Sequence, residues 1–193
     1  TFGPARSMTR SEAAAIFARL LADKNGDTIS TAANTKFTDI PAHAWYSGYV
    51  KYLADYGVAY GRIKDHFAPN EAITRAEFVA MTVRFFNVYG DGSQEIMERY
   101  KDFNDVNDGY WAAAYIKAAA KYGWVMGYTD GTFRGDSEIN RAEVVTIVNR
   151  LLGREADEDY IADNLRKLNT FPDVTKRHWA YYAVMEAANA HTA

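Results

Sequence analysis

Three short segments of the sequence combine a guanidinium group with the start of a helix. They read TRSE from Thr9, TRAE from Thr74 and NRAE from Asn140. The Thr or Asn and the Glu three residues later have the spacing of a capping box, which satisfies the first free amides of a helix. An arginine occupies the first helical residue in each segment: Arg10, Arg75 and Arg141. The helix dipole disfavours a cation there by a few tenths of a kcal/mol to roughly 1 kcal/mol.

A cation that recurs at a mildly unfavourable place has two interpretations. It is a surface charge or the partner of a nearby acid, or it binds an anion. A carboxylate or phosphate at this position would meet both the guanidinium fork and the free N–H groups of the helix. The threefold recurrence favours the anion.

A second pattern, F-x-D followed by a tryptophan, also recurs three times. Its aspartates are Asp39, Asp105 and Asp173, and its tryptophans are Trp45, Trp111 and Trp179. Each aspartate either caps the helix that follows or contacts a sugar. Each tryptophan either begins the buried face of that helix or presents an edge on which a pyranose ring stacks.

The two patterns lie on the two halves of a helix-turn-helix repeat. In the first half, apolar residues from Trp45 to Ala54 have helical spacing, and Gly57 and Gly123 stand where a left-handed helix end belongs. A turn-rich connector follows, and the capping box then begins an apolar helix. The fold is therefore predicted to be mainly all-α.

The repeats divide the chain out of phase with its ends. Residues 1–34 are read as the second half of a repeat, 35–88 and 103–152 as complete repeats, and 171–193 as the first half of another. Residues 89–102 and 153–170 are read as insertions, the second with a short amphipathic helix. The chain opens at Thr1 without a leader pattern, which predicts a piece of a longer polypeptide.

Composition excludes several classes of function. The formal net charge of −3 and the lack of a basic stripe argue against nucleic-acid binding, and no apolar run predicts membrane insertion. With no cysteine in 193 residues, disulfides and thiolate metal sites are excluded. We expect no cofactor.

One loop raises the question of calcium. The segment Asp23-Lys24-Asn25-Gly26-Asp27 places oxygens at positions 1, 3 and 5 of a calcium loop. Thr28 and Asn34 occupy the positions that need Gly and an acid, so a polar turn without metal is preferred.

The combined patterns resemble the S-layer homology family. The resemblance rests on F-x-D, Trp, Gly, a turn ending F-x-P, and T-R-A-E, and it covers most of the chain outside the insertions. It implies tandem repeats that form a pseudo-threefold, three-pronged helical unit. It also implies an extracellular module on the bacterial cell surface, which binds secondary cell-wall polysaccharide, often capped by pyruvylated N-acetylmannosamine, in grooves between repeats.

The resemblance implies carbohydrate-binding roles for specific residues. Arginine would meet the anionic ligand, aspartate would lie near the sugar, tryptophan beside it, and glycine would let backbone approach it. The matching residues are Arg10, Arg75, Arg141, Asp39, Asp105, Asp173, Trp45, Trp111, Trp179, Gly57, Gly61, Gly123 and Gly127.

Two departures from the family pattern bear on the third prong. The last half-repeat reads Ala-Asn-Ala-His191-Thr-Ala where the glycine and turn should come, and Gly135 stands where Pro4 and Pro69 stand in the other copies. A groove formed at the last half-repeat is expected to be incomplete. The N-terminal and C-terminal half-repeats are expected to pack together and complete the prong.

The resulting hypothesis is a non-catalytic cell-wall anchor that binds an anionic polysaccharide. Its polar features repeat, whereas an active site needs unlike groups that converge once, so we predict that the chain is not an enzyme. The alternative is a structural module that docks surface-layer protein subunits.

Overall fold

The computed structural model describes residues 1–90 and 102–189, and these residues form seven helices. In chain order they are α1 (Arg10–Asn25), α2 (Ser47–Asp55), α3 (Arg75–Tyr89), α4 (Ala113–Lys121), α5 (Arg141–Leu151), α6 (Glu158–Asn164) and α7 (Tyr181–Ala188). Within these ranges, extended pairing is limited to isolated bridges. The mainly all-α prediction is confirmed. No helix among these residues is long and apolar enough to cross a membrane.

The three long helices begin at the predicted capping boxes. In α1, α3 and α5 the side chain of Thr9, Thr74 or Asn140 accepts a hydrogen bond from the backbone N–H of the glutamate three residues on. The glutamate carboxylate accepts from the cap residue in return. Each cap residue has extended dihedral angles, as an N-cap requires. All three predicted helix starts are confirmed.

The three short helices of the first halves begin later than the sequence suggested. Helices α2, α4 and α7 start two residues after Trp45, Trp111 and Trp179. In α2 the buried face begins at Tyr46 and continues through Val50 and Leu53. The prediction that Trp45 begins this face is wrong, because the chain is not yet helical at Trp45 and its side chain points outward.

The helices pack in three pairs: α1 with α2, α3 with α4, and α5 with α7. Each pair joins the second half of one repeat to the first half of the next. The first two pairs share one apolar core that includes Phe17, Phe78 and Phe85. A smaller core lies between α5 and α7, and α6 contributes the buried Ile161 to it.

Backbone hydrogen bonds join the three second halves in a closed circuit. Ile73 N–H donates to the Met8 carbonyl at 2.9 Å, Ile139 donates to Ile73 at 3.0 Å, and Met8 donates to Ile139 at 3.1 Å. Each of these residues directly precedes a capping residue, and all three side chains are buried. The circuit therefore holds the three helix starts side by side.

The two ends of the chain meet through a turn. Phe2 and Gly3 donate their backbone N–H groups to the Asp173 carboxylate at 2.8 and 2.7 Å. The ring of Phe2 lies 5.4 Å from that of Phe171. The N-terminal and C-terminal half-repeats are thus in contact, whereas their helices pack elsewhere, α1 on α2 and α7 on α5.

Parts of the predicted insertions and the C-terminus lie outside the described residues. Helix α3 extends to Tyr89, which had been placed in the first insertion, and residues 91–101 are not described. Helix α6 lies in the second insertion. The C-terminal segment with His191, whose sequence lacks the expected glycine and turn, falls outside the described residues from 190 onward.

Candidate functional site

Arg10 is buried, and each of its three guanidinium nitrogens has a partner inside the protein. Its Nε donates to the Phe67 carbonyl at 2.6 Å, Nη2 donates to the Tyr60 carbonyl at 2.9 Å, and Nη1 lies 3.2 Å from Glu77 Oε1. The guanidinium also stacks over the Phe67 ring. The interpretation as partner of a nearby acid therefore holds for Arg10, and the acid belongs to the next repeat.

The other two arginines make the same principal contact with fewer additional partners. Arg75 donates from Nε to the Phe133 carbonyl at 2.9 Å and pairs with Glu143 at 3.0 Å. Arg141 donates from Nε to the Phe2 carbonyl at 2.8 Å. Arg75 is buried and Arg141 half-buried. Arg10 and Arg75 thus bind the connector of the following repeat, and Arg141 binds the equivalent segment at the N-terminus.

The amides at the helix starts are occupied by the same connectors. In α1, Arg10 N–H donates to the Glu71 carbonyl and Ser11 N–H to the Pro69 carbonyl, both at 3.0 Å. The equivalent amides of α3 donate to Ser137 and Gly135, and those of α5 to Arg6 and Pro4. The prediction that an anion meets free N–H groups here is wrong, because neighbouring carbonyls already accept from them. Gly135 accepts through its backbone carbonyl, as Pro4 and Pro69 do, so the change from Pro to Gly keeps this hydrogen bond.

The aspartates also hold connectors. Both carboxylate oxygens of Asp39 accept from backbone N–H groups, those of Phe67 at 2.9 Å and Ala68 at 2.7 Å. Asp105 binds Phe133 and Arg134 in the same way, as Asp173 binds the N-terminal turn. The prediction that they cap the next helix is wrong: the partners of Asp39 and Asp105 lie 28 and 29 residues onward, and those of Asp173 lie 171 and 170 residues earlier in the chain.

The second residue of each aspartate contact has a left-handed backbone. The values of φ are 59° at Ala68, 58° at Arg134 and 70° at Gly3. A non-glycine residue adopts this region only at a cost in free energy. The paired hydrogen bonds to the carboxylate hold the turn in this conformation.

Of the four predicted glycines, two end helices and two lie in connectors. Gly57 and Gly123 have φ of 70° and 71° directly after α2 and α4, as a glycine helix end requires. Gly61 and Gly127 are closely packed, since a Cβ would lie 2.4 Å from the Ile63 carbonyl oxygen or from the Phe103 ring. These two glycines line surface grooves.

The three predicted tryptophans are exposed. The exposed fraction is 54% for Trp45, 54% for Trp111 and 65% for Trp179, whereas Trp124, outside the pattern, is 1% exposed. The interpretation of the first three as core residues is therefore wrong. Their rings are available to a ligand.

Two grooves of the same design lie between neighbouring repeats. The first groove, of about 480 Å³, is lined by residues that include Arg10, Gly61, Thr74, Arg84 and Trp111. The second groove, of about 630 Å³, is lined by the equivalent residues Arg75, Gly127, Asn140, Arg150 and Trp179. Both volumes are in the range of small-molecule sites. The structure thus brings together an arginine, a glycine and a tryptophan of the predicted set twice, and Trp45 lines neither groove.

Sequence reasoning missed a second arginine in each groove. Arg84 and Arg150 follow Arg75 and Arg141 by nine residues, and Arg19 follows Arg10 by the same interval. The guanidinium of Arg84 lies 4.6 Å from the Tyr60 ring and 4.7 Å from the Tyr115 ring. The recurrence at a fixed offset was the available signal.

The acid of the first groove is held in its charged form. Burial raises the pKa of Glu77, but hydrogen bonds from Arg62 and the Thr74 amide, with the charge of Arg10, outweigh burial and lower the pKa. Arg62 contributes two of these bonds, from Nε and Nη2, each at 2.8 Å. Glu77 is therefore a structural anion that joins two repeats.

The suggested calcium loop is a polar turn in the structure. Asp27 accepts a hydrogen bond from the Tyr52 hydroxyl at 2.6 Å, and Asn25 contacts the Tyr52 and Tyr56 hydroxyls. Over residues 1–90 and 102–189, no group of three or more His, Asp or Glu side chains could hold a metal ion.

Comparison with known proteins identifies the repeats. The S-layer homology domain matches residues 36–79 and 102–145, in tandem. The chain belongs to this family of surface-layer repeats.

The relatives are longer bacterial proteins. The cellulosome-anchoring protein of Acetivibrio thermocellus is 33% identical over 99% of this chain and 40% of its own length. Cell surface glycoprotein 1 of the same organism is 32% identical over 100% of this chain and 8% of its own length. An amylopullulanase of Thermoanaerobacterium thermosulfurigenes is 32% identical over 79% of this chain and 8% of its own length. The chain spans less than half of each relative, and the family is one of the extracellular cell surface.

Proposed function

We propose that this chain is a non-catalytic cell-wall anchoring module, which holds secondary cell-wall polysaccharide in the grooves between its repeats. The observation that carries the proposal is the repetition of one groove, with an exposed tryptophan from one repeat beside a connector glycine and two arginines from its neighbours. Repeated binding sites suit a polymer with a repeating unit.

In each groove we assign the sugar ring to the tryptophan. An exposed indole offers a flat apolar face on which a pyranose ring can stack. Gly61 and Gly127 line the first and second grooves, where the absence of a side chain lets the connector pack closely on itself and on Phe103. Asp39 and Asp105 act on the sugar through the connector, whose conformation they fix.

The charged partner in the polysaccharide is an acid, and we propose a pyruvylated N-acetylmannosamine. Guanidinium groups bind carboxylates in a planar, paired geometry. Arg84 and Arg150 stand in the grooves without an acidic partner among the described residues. Arg150, whose one hydrogen bond to the described residues is a contact of 3.4 Å, supplies what the buried guanidinium of Arg10 does not.

The three helix pairs and the closed circuit at Met8, Ile73 and Ile139 support a pseudo-threefold, three-pronged unit. Grooves at fixed separation on such a unit can bind one glycan at several places. Avidity then exceeds the affinity of one groove without any new contact.

The names of the relatives agree with an anchoring role. One is a cellulosome-anchoring protein, and this chain matches 40% of its length. The amylopullulanase shares only 8% of its length with this chain, so the shared segment is a module attached to an enzyme. Docking to surface-layer protein subunits remains the alternative that an experiment must separate from polysaccharide binding.

The test is sedimentation of the protein with cell walls from a bacterium of this family's type, before and after chemical removal of the secondary polysaccharide. Trp111→Ala, Trp179→Ala and the double variant are compared with Leu165→Ala, an exposed side chain that lines neither groove. We expect each tryptophan variant to weaken binding at least about tenfold, as for the loss of an anchoring aromatic side chain. Full binding by the double variant, or binding that survives removal of the polysaccharide, would contradict the proposal and favour a protein partner.

A further inference from the structure

The two grooves differ in how much guanidinium they leave to a ligand. In the first groove, all three nitrogens of Arg10 have partners: the Phe67 and Tyr60 carbonyls and Glu77. Each guanidinium nitrogen of Arg10 therefore already has a partner inside the protein. Arg10 is 4% exposed and Arg75 is 6% exposed, so the two arginines differ in their partners and not in their burial.

A third arginine that lines the first groove, Arg62, also has a partner at each guanidinium nitrogen. Arg62 donates from Nε and Nη2 to Glu77, and its Nη1 pairs with Glu71. Nη2 donates in addition to the Ala72 carbonyl. A further acid, Asp136, stands on the wall of this groove, where it opposes the entry of an anion.

In the second groove a tyrosine replaces Arg62. The Tyr128 hydroxyl donates to Glu143 at 2.7 Å, and the Tyr128 ring lies 4.9 Å from the Arg75 guanidinium. Glu143 therefore receives one guanidinium, whereas Glu77 receives two. Within residues 1–90 and 102–189, Nη2 of Arg75 has no hydrogen-bond partner.

Arg150 adds to the second groove a cation that has no acidic partner among the described residues. Its one hydrogen bond to the described part of the chain is a long contact of 3.4 Å from Nη1 to the Trp124 carbonyl. The equivalent Arg84 of the first groove instead lies over the rings of Tyr60 and Tyr115. Its Nε and Nη2 also donate to the Tyr115 hydroxyl, at 3.2 and 3.0 Å. The second groove thus has more unused donors and only one lining acid, Glu143.

We infer that the second groove takes the anionic residue of the glycan, through Arg75 Nη2 and Arg150, while the first groove takes an uncharged part of the same chain. This inference rests on the proposed function and assigns different ligand chemistry to two grooves of common design. The partners of the equivalent arginines set the preference. Nη2 of Arg10 donates to the Tyr60 carbonyl and Arg84 donates to Tyr115, whereas Nη2 of Arg75 has no hydrogen-bond partner among the described residues and Arg150 makes one long bond. Asp136 on the wall of the first groove acts in the same direction.

The experiment uses two probes that differ by one charge: the methyl glycoside of pyruvylated N-acetylmannosamine, and the same compound with its carboxylate as the methyl ester. Calorimetry measures both in Trp111→Ala, which retains the second groove, and in Trp179→Ala, which retains the first. Both tryptophans are more than half exposed, so both variants are expected to fold.

The inference predicts that Trp111→Ala binds the acid at least about tenfold more tightly than the ester, the factor expected for charge-assisted hydrogen bonds. This preference should decrease as salt is added. In Trp179→Ala the two probes should bind within about twofold of each other. Adding Arg150→Gln to Trp111→Ala should abolish the preference, whereas adding Arg84→Gln to Trp179→Ala should leave the ratio of the two affinities as it was.

Two results would overturn the inference. Equal preference for the acid in both single-tryptophan variants would show that the grooves are equivalent and would leave polysaccharide binding intact. The second result is that the wild-type protein binds neither probe while the double tryptophan variant still binds walls fully. This result would contradict both the proposed function and this inference.

Discussion

Arg141 and Phe2 lie 139 residues apart in the sequence and are joined by a hydrogen bond of 2.8 Å from Nε to the carbonyl oxygen. The guanidinium also lies 4.7 Å from the centre of the Phe2 ring. Arg10 makes the same pair of contacts with Phe67, and Arg75 makes them with Phe133. A contact that elsewhere joins neighbouring repeats thus joins the two ends of the chain.

The buried arginine should matter more for stability than for recognition. Replacement Arg10→Met removes three partnered nitrogens and leaves the Phe67 and Tyr60 carbonyls without this donor, which we expect to lower the free energy of unfolding by about 2–4 kcal/mol. Chemical denaturation measures the change. The control Arg19→Met, an exposed arginine of the same helix that contacts only Tyr49, should cost less than about 1 kcal/mol. Equal costs at the two positions would refute the structural role of Arg10.

The aspartate that binds the connector should also be structural. Asp39→Ala leaves the amides of Phe67 and Ala68 without their acceptors, and we expect a loss of about 1–3 kcal/mol in the free energy of unfolding. Asp55→Ala, which removes a surface pair with Lys51, should change it by less than about 1 kcal/mol. A stable Asp39→Ala protein that had lost only polysaccharide binding would instead restore direct sugar contact by this carboxylate.

The left-handed turn offers a stabilising substitution. Ala68 has φ of 59°, and the equivalent residue at the N-terminus is already Gly3. Ala68→Gly removes the steric cost of the side chain in this region, so we expect the free energy of unfolding to increase by up to about 1 kcal/mol. A higher melting temperature measures this change. The same substitution at Ala54, inside α2, should instead cost about 1 kcal/mol because the backbone there is helical. Destabilisation at both positions would show that the turn does not strain Ala68.

Acid should weaken the junction between repeats. The folded pKa of Glu77 lies below its ordinary value of 4.5, so its stabilising effect is complete above pH 4.5 and is lost as the pH falls through the folded pKa. Denaturation midpoints measured from pH 7 to pH 3 should therefore decrease in the wild type. Glu77→Gln should have a lower midpoint at pH 7 and a smaller decrease on acidification. A parallel decrease in both proteins would assign the effect to other groups.

The exposed tryptophans should contribute little to folding. Trp111→Ala and Trp179→Ala are expected to change the free energy of unfolding by less than about 1 kcal/mol, because each ring is more than half exposed. Trp124→Ala, at a buried ring, should cost about 3–5 kcal/mol in the same thermal or chemical melts. A large loss of stability at Trp111 or Trp179 would mean that these rings support the fold rather than a ligand.

The sequence was sufficient for local structure. The capping pairs such as Thr74 with Glu77, and the helix-ending glycines Gly57 and Gly123, were recognisable because their partners lie within a few residues along the chain. The helical class followed from the same local signals.

Long-range roles were not recognisable in the same way. The partners of Asp39 lie 28 and 29 residues away, and those of Arg10 lie 50 to 67 residues away, so one repeat read alone does not reveal them. The outward direction of Trp45 depends on where α2 begins, and the spacing of apolar residues places a helix start only to within a few residues. The regular spacing of Arg84 and Arg150 was present in the sequence, but their place in the grooves is visible only in the structure.

The hydrogen bonds between Phe2, Gly3 and Asp173 have a consequence for how the domain unfolds. An open array of repeats has two terminal units with one neighbour each, and these units fray first. Here every second-half helix has a following connector bound to it, including α5 at the end of the series. Opening any junction therefore converts the closed set into an open one, and we expect the three helix pairs to melt in a single cooperative transition.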